Sequence, residues 1–92
     1  MIVKFYANLR DAVGDRQAEF DLPGGSTLRD LIAAMAARFP ALKREMLDPD
    51  GNLFSHIHIF VNGRDSALLE DTLDTVLDPD VSIAVFPPVG GG

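Results

Sequence analysis

The chain reads as an α+β fold, a mixed sheet covered on one face by one main helix. Three observations predict it. Four stretches, Ile2 to Asn8, Gln17 to Leu22, His56 to Val61 and Val81 to Phe86, are rich in β-formers or alternate apolar with polar residues. Between them lies a single helical periodicity, with Leu28, Leu31, Ile32, Met35, Ala36 and Phe39 on one face. Ninety-two residues allow one hydrophobic core, so helix and sheet must bury their apolar sides against each other.

The first two strands are joined by a turn centred on Gly14, which makes the opening thirty residues a β-hairpin closed by Pro23-Gly24-Gly25. Thr27 with Asp30 fits a helix-capping pair, and Pro40 ends that helix. Residues 41–47 hold one further short helical turn. Asp48-Pro49-Asp50-Gly51-Asn52 is a turn cluster. In the next strand Ile57, Ile59 and Val61 share the core face, and Asn62-Gly63 starts a short hairpin arm. Asp78-Pro79-Asp80 turns the chain into the last strand, where Val81, Ile83 and Val85 point inward. The order β-β-α-β-(short β)-β is the β-grasp, or ubiquitin-like, plan. In that plan the first and last strands lie side by side and parallel. We expect a β-grasp domain over residues 1–86 and a flexible tail over 87–92.

Composition narrows the chemistry. The chain is 47% hydrophobic, enough to fold, and contains no cysteine, so disulfides, thiolate metal sites and a cysteine nucleophile are excluded. No signal-peptide core or membrane-length apolar run is evident, and a cytoplasmic protein is expected. The net charge of −6 is uneven. Residues 1–64 hold all eight Lys/Arg and eight of the fourteen Asp/Glu, so the whole imbalance falls on Asp65, Glu70, Asp71, Asp74, Asp78 and Asp80. These acids are expected near the root of the tail, as a solvated surface or to steer a basic partner; nucleic acid is disfavoured by the sign of the charge.

Several motifs have plain structural readings. Asp48, Asp50 and Gly51 resemble the start of a calcium loop, but the glycine comes too early and position twelve is Ile59. A turn is the better account. His56 and His58 would share a strand face without a third ligand, so no metal is expected. Pro23-Gly24-Gly25-Ser26-Thr27 lacks the Gly-Lys-Ser/Thr element of a phosphate loop and reads as a helix-capping turn. No Ser-His-Asp or paired-carboxylate arrangement stands out, so no side-chain catalytic centre is expected.

Two features point to function. The strand alternation sends His58, Phe60, Ala84 and Phe86 to the sheet face opposite the helix, with Tyr6 beside them if Val3, Phe5 and Ala7 face the core. Clustered exposed aromatics read as a docking patch. The second feature is the ending Phe86-Pro87-Pro88-Val89-Gly90-Gly91-Gly92. Glycines lack a Cβ and fit a channel too narrow for side chains, which directs attention to a terminal carboxylate at Gly92 as the reactive group.

These residues, with the opening Val3-Lys4-Phe5-Tyr6-Ala7-Asn8-Leu9-Arg10, the helix start Ser26-Thr27-Leu28-Arg29-Asp30-Leu31 and Ile59-Phe60-Val61-Asn62-Gly63, resemble the MoaD/ThiS family of ubiquitin-like sulfur carriers. The resemblance spans essentially the whole chain and is strongest to the small subunits of molybdopterin synthase, except that Gly90 replaces their usual Ala or Ser. It implies that no cofactor is bound. An E1-like activating enzyme would use ATP to adenylate Gly92, and a sulfur donor would convert the adenylate to a thiocarboxylate. The tail would then enter the large subunit of molybdopterin synthase, in a heterotetramer, and pass sulfur to the pterin precursor. Phe60, Phe86, Pro87, Pro88, Val89, Gly90 and Gly91 would contact the partner, with no membrane involved. Alternatives are a sulfur carrier for thiamine, cysteine or tRNA thiolation, or a protein modifier joined to target lysines through Gly92.

Overall fold

The computed structural model describes residues 1–88. Its elements are β1 (Ile2–Phe5), α1 (Leu9–Val13), β2 (Gln17–Glu19), α2 (Leu28–Arg38), α3 (Pro40–Met46), β3 (His58–Val61), β4 (Arg64–Asp65) and β5 (Ser82–Phe86), with short 3₁₀ turns at Ser66–Leu68 and Thr72–Asp74. The five strands form one sheet in the order β2-β1-β5-β3-β4. β1 and β5 are parallel neighbours at its centre and every other pairing is antiparallel. The chain therefore has the expected β-grasp fold.

Register follows from the alternation. Val3 pairs with Ile83 and Phe5 with Val85, while Ile59 and Val61 face Val85 and Ile83 across the other side of β5. All six point to the helical layer and are buried. α2 starts as its sequence dictates: the Thr27 hydroxyl accepts the Asp30 N–H at 3.2 Å, and the Asp30 carboxylate accepts the Thr27 N–H at 2.9 Å. It buries Leu28, Leu31, Ile32 and Met35. Full burial of side chains such as Leu31 and Met35 stabilises the fold by roughly 2 kcal/mol each. At its end Arg38 lies 5.0 Å from the Phe20 ring and 5.1 Å from the Phe39 ring, and donates to the Glu19 carbonyl at 2.6 Å. That contact ties α2 to the end of β2.

Two further helices enlarge the helical layer; α3 answers to the short turn expected at residues 41–47, and α1 is a departure. The single main helix is joined by α3, which buries Leu42 and Met46, and by α1, which buries Leu9. A helix about 10 Å across covers roughly half of a five-strand sheet about 19 Å wide, so one helix leaves apolar sheet uncovered. Pro40 stops α2 because Phe39 before it is extended (φ −124°, ψ 90°), and it also opens α3, where a first-turn proline forfeits no helical hydrogen bond. Strand β1 ends at Phe5 rather than Asn8, since Ala7 takes φ 52° and stands exposed instead of facing the core. Among the described residues no helix is long and apolar enough to cross a membrane.

Candidate functional site

The outer face of the sheet, at the end where β5 leaves it, carries the candidate site. Alternation along β5 buries Ile83 and Val85 and turns Ala84 and Phe86 outward. His58 stands opposite Phe86 and Phe60 opposite Ala84, while Lys4 stands beside Ala84 on the parallel side. Tyr6 continues past β1, its N–H donating to the Val85 carbonyl at 3.2 Å. Its ring stacks on Phe86 with centroids 4.3 Å apart and planes 11° from parallel. Phe60 meets Phe86 edge-on at 5.3 Å and 84°. Such pairings hold aromatic rings in fixed orientation without full burial. The three rings floor an open groove of about 620 Å³, which Lys4, Asp65 and Pro87 also line.

Polar groups frame the floor. The Asn62-Gly63 turn has φ of 51° and 82°, the left-handed pair that a tight hairpin needs, and it returns Asp65 to the side of His58. Asp65 accepts on both oxygens, from the His58 ring nitrogen at 3.1 Å and from the Ala67 N–H at 3.0 Å. Arg10, on α1, donates its Nε–H to the Phe5 carbonyl at 2.9 Å and holds its guanidinium carbon 5.3 Å from the Tyr6 ring centre.

The structure thus brings Phe60 and Phe86 together with Tyr6, and sets a buried Pro87 in the same groove with an exposed Pro88 following it. Val89, Gly90, Gly91 and Gly92 lie outside the described residues. Asp74, Asp78 and Asp80 sit elsewhere than expected. Asp78 and Asp80 precede β5, and six residues of extended chain separate Asp80 from Phe86 by roughly 20 Å. Asp74 pairs with Arg29 at 3.0 Å on the helical side. Asp65 lines the aromatic groove.

Other candidate motifs resolve into local structure. Asp48 Oδ1 accepts the N–H groups of Asp50 and Asn52, both at 2.9 Å, which closes the turn. Ser26 donates to the Pro23 carbonyl at 2.6 Å and precedes the Thr27 cap. His56 stacks on Phe54 before β3 begins, so it shares no strand face with His58. Sequence reasoning overlooked Lys4 and Arg10, and it named Asp65 only as one of the acids near the root of the tail. Lys4 was reachable, because it alternates with Tyr6; Arg10 was not, because α1 was read as a turn.

Comparison with known proteins accords with this architecture. The profile of the ThiS family matches residues 3–92. Small archaeal modifier protein 1 of Haloferax volcanii is 35% identical over 89 residues, covering 97% of each chain, and small archaeal modifier protein 3 of the same organism is 30% identical over 90 residues, covering 98% of this chain and 96% of that one. The crystal structure of the former superposes with a TM-score of 0.87 at 32% identity, over 99% of this chain and 97% of that one. A putative molybdopterin converting factor, subunit 1, from Pyrococcus furiosus gives a TM-score of 0.75 at 33% identity, over 96% and 95%. In sequence and in fold, the chain belongs to the ThiS family of ubiquitin-like proteins.

Proposed function

We propose that this protein is a carrier whose reactive group is the main-chain carboxylate of Gly92. A carboxylate is a poor electrophile, so an E1-like enzyme in the cytoplasm first joins it to the AMP moiety of ATP and releases pyrophosphate. A sulfur donor then displaces AMP and leaves a thiocarboxylate. Residues 1–86 serve as the folded body and residues 87–92 as the delivery tail. Phe60, Phe86, Pro87, Pro88, Val89, Gly90 and Gly91 form the partner contact. The observation that carries this reading is the family match running through residue 92, together with the Phe-Pro-Pro-Val-Gly-Gly-Gly sequence.

The acceptor we favour is the pterin precursor of the molybdenum cofactor, with this chain as the small subunit of molybdopterin synthase. Support comes from the likeness to the P. furiosus converting-factor subunit and from the Pro-Pro-Val approach to the glycines. The 35% identity to small archaeal modifier protein 1 favours a second reading, in which a lysine amine displaces AMP and an isopeptide bond forms. Both readings share the adenylate and differ in the nucleophile.

Intact mass spectrometry after incubation with the activating enzyme, ATP and a sulfur donor tests the carrier role. The mass rises by the difference between sulfur and oxygen; an unchanged mass removes the sulfur-carrier reading. Co-purification with a molybdopterin synthase large subunit selects the first acceptor, and glycine remnants on lysines of other proteins select the second.

A further inference from the structure

The two edges of the sheet end differently. β4 offers two residues, Arg64–Asp65, and the chain then leaves it in a 3₁₀ turn. β2 offers more. Its ladder to β1 runs past the strand ends, with the Phe5 N–H donating to the Arg16 carbonyl at 2.8 Å and the Phe20 N–H to the Met1 carbonyl at 2.9 Å. Arg16 and Phe20 therefore turn their backbone groups toward β1. By the alternation of an antiparallel ladder, Gln17 and Glu19 between them turn theirs outward. β2 is the last strand on its side, so those groups face no neighbour in the sheet. An edge of this kind is a template for another strand.

We propose that Arg38 closes this edge, and that without it β2 pairs with β2 of a second copy of the chain. From the end of α2, Arg38 Nη1 donates to the Glu19 carbonyl at 2.6 Å and so takes the acceptor that an incoming N–H would use. Two rings hold it there. Its guanidinium carbon lies 5.0 Å from the Phe20 ring centre and 5.1 Å from that of Phe39, and these rings meet edge-on at 6.3 Å and 76°. No carboxylate lies within ion-pair distance of Arg38 among the described residues, where the ion pairs are Arg29–Asp74 and His58–Asp65.

The occupant is a second copy because the edge is self-complementary. In antiparallel pairing about a two-fold axis at Ala18, Gln17 exchanges both backbone bonds with Glu19 of the second copy, and Glu19 does the same with its Gln17. An amide then faces a carboxylate in each pair, and both side chains are exposed. Ala18 is buried on the core side and leaves the join clear. A two-fold axis at Glu19 would instead set like charges opposite each other. The join is short, so one occupied acceptor in each copy is enough to prevent it. The contact is independent of what Gly92 carries.

Sedimentation equilibrium over a range of concentrations is the test. Arg38→Ala is expected to dimerise at concentrations at least about tenfold below those at which wild type does, since the freed acceptor counts twice in a symmetric pair. In the Arg38→Ala background, Gln17→Glu sets a second carboxylate against Glu19 and weakens the dimer, whereas Gln17→Lys tightens it. An Arg38→Ala chain no more associated than wild type overturns the inference, as does a dimer indifferent to the charge at residue 17. Where circular dichroism shows Arg38→Ala unfolded, Arg38→Met takes its place, keeping an apolar stem on the two rings without the donors. Hydrogen exchange gives a second readout. The Gln17 and Glu19 N–H groups are expected to exchange freely in the wild-type monomer and to be protected in the variant dimer. Protection gained at Arg64 and Asp65 instead puts the join on the other edge and refutes the inference.

Discussion

The two faces of β5 differ more than its two ends of sequence. Ile83 and Val85 are fully buried against the helical layer, whereas Ala84 and Phe86, one residue away in each case, stay half-exposed on the outer side. The inner face is a packing surface, filled by Val3, Phe5, Ile59 and Leu31. The outer face gains order from ring-on-ring contacts alone and keeps its apolar area open. One strand therefore holds the fold together with its odd-numbered residues and presents a surface with its even-numbered ones. Substitutions on the two faces are expected to separate stability from recognition.

The largest expected effect touches neither face. Deleting Gly92 abolishes thiocarboxylate formation, read as the loss of the mass gain, while the urea midpoint stays at the wild-type value because the described core lies between Val3 and Val85. On the inner face, Phe5→Ala removes a fully buried ring and is expected to cost about 3–5 kcal/mol in urea unfolding. On the outer face, Phe86→Ala loses two aromatic pairings, about 1–2 kcal/mol of stability. The same variant weakens partner binding by more than about tenfold in calorimetry. A comparable stability loss for Phe5→Ala and Phe86→Ala would erase the distinction between the faces.

Smaller effects sharpen it at the margins. Thr27→Ala breaks the capping pair at the start of α2 and lowers stability by about 1 kcal/mol, with partner affinity unchanged. Asp74→Asn removes an ion pair whose side chains are 60% and 67% exposed, so the change in urea unfolding is expected to be roughly 0–1 kcal/mol and to shrink further in salt.

Much of this was legible from residues alone. Period-two runs gave the strands and their inward sets, and the clustering of Tyr6, Phe60 and Phe86 followed from the same alternation. The Thr27–Asp30 pair fixed the start of α2 because capping is a local contact. What escaped was either short or spatial. α1 has five residues and one buried side chain, Leu9, so it shows no periodicity; its trace is Gly14, whose φ of 84° is a helix-ending conformation as much as a turn. The turn expected at residues 41–47 is a seven-residue helix that starts on Pro40 itself, since a proline that ends one helix is equally suited to open the next. Asp78 and Asp80 are close to Phe86 along the chain but not in space, because an extended strand carries the backbone roughly 3.3 Å per residue away from Asp80. The Asn62-Gly63 turn sets Asp65 opposite Phe60, and its pairing with the diagonal neighbour His58 depends on side-chain reach that alternation alone does not specify.

The parallel pairing of β1 with β5 has a mechanical consequence. β1 begins near Met1 at one end of the sheet, and β5 finishes at Phe86 at the other. A pull on the last residues against a held amino end draws the two strands past each other along their length. The hydrogen bonds between them then share the load and must give way together rather than unzip one by one. A force applied through the last residues meets the central strand of the sheet in shear, flanked on both sides, which is the orientation in which a small sheet best resists extraction.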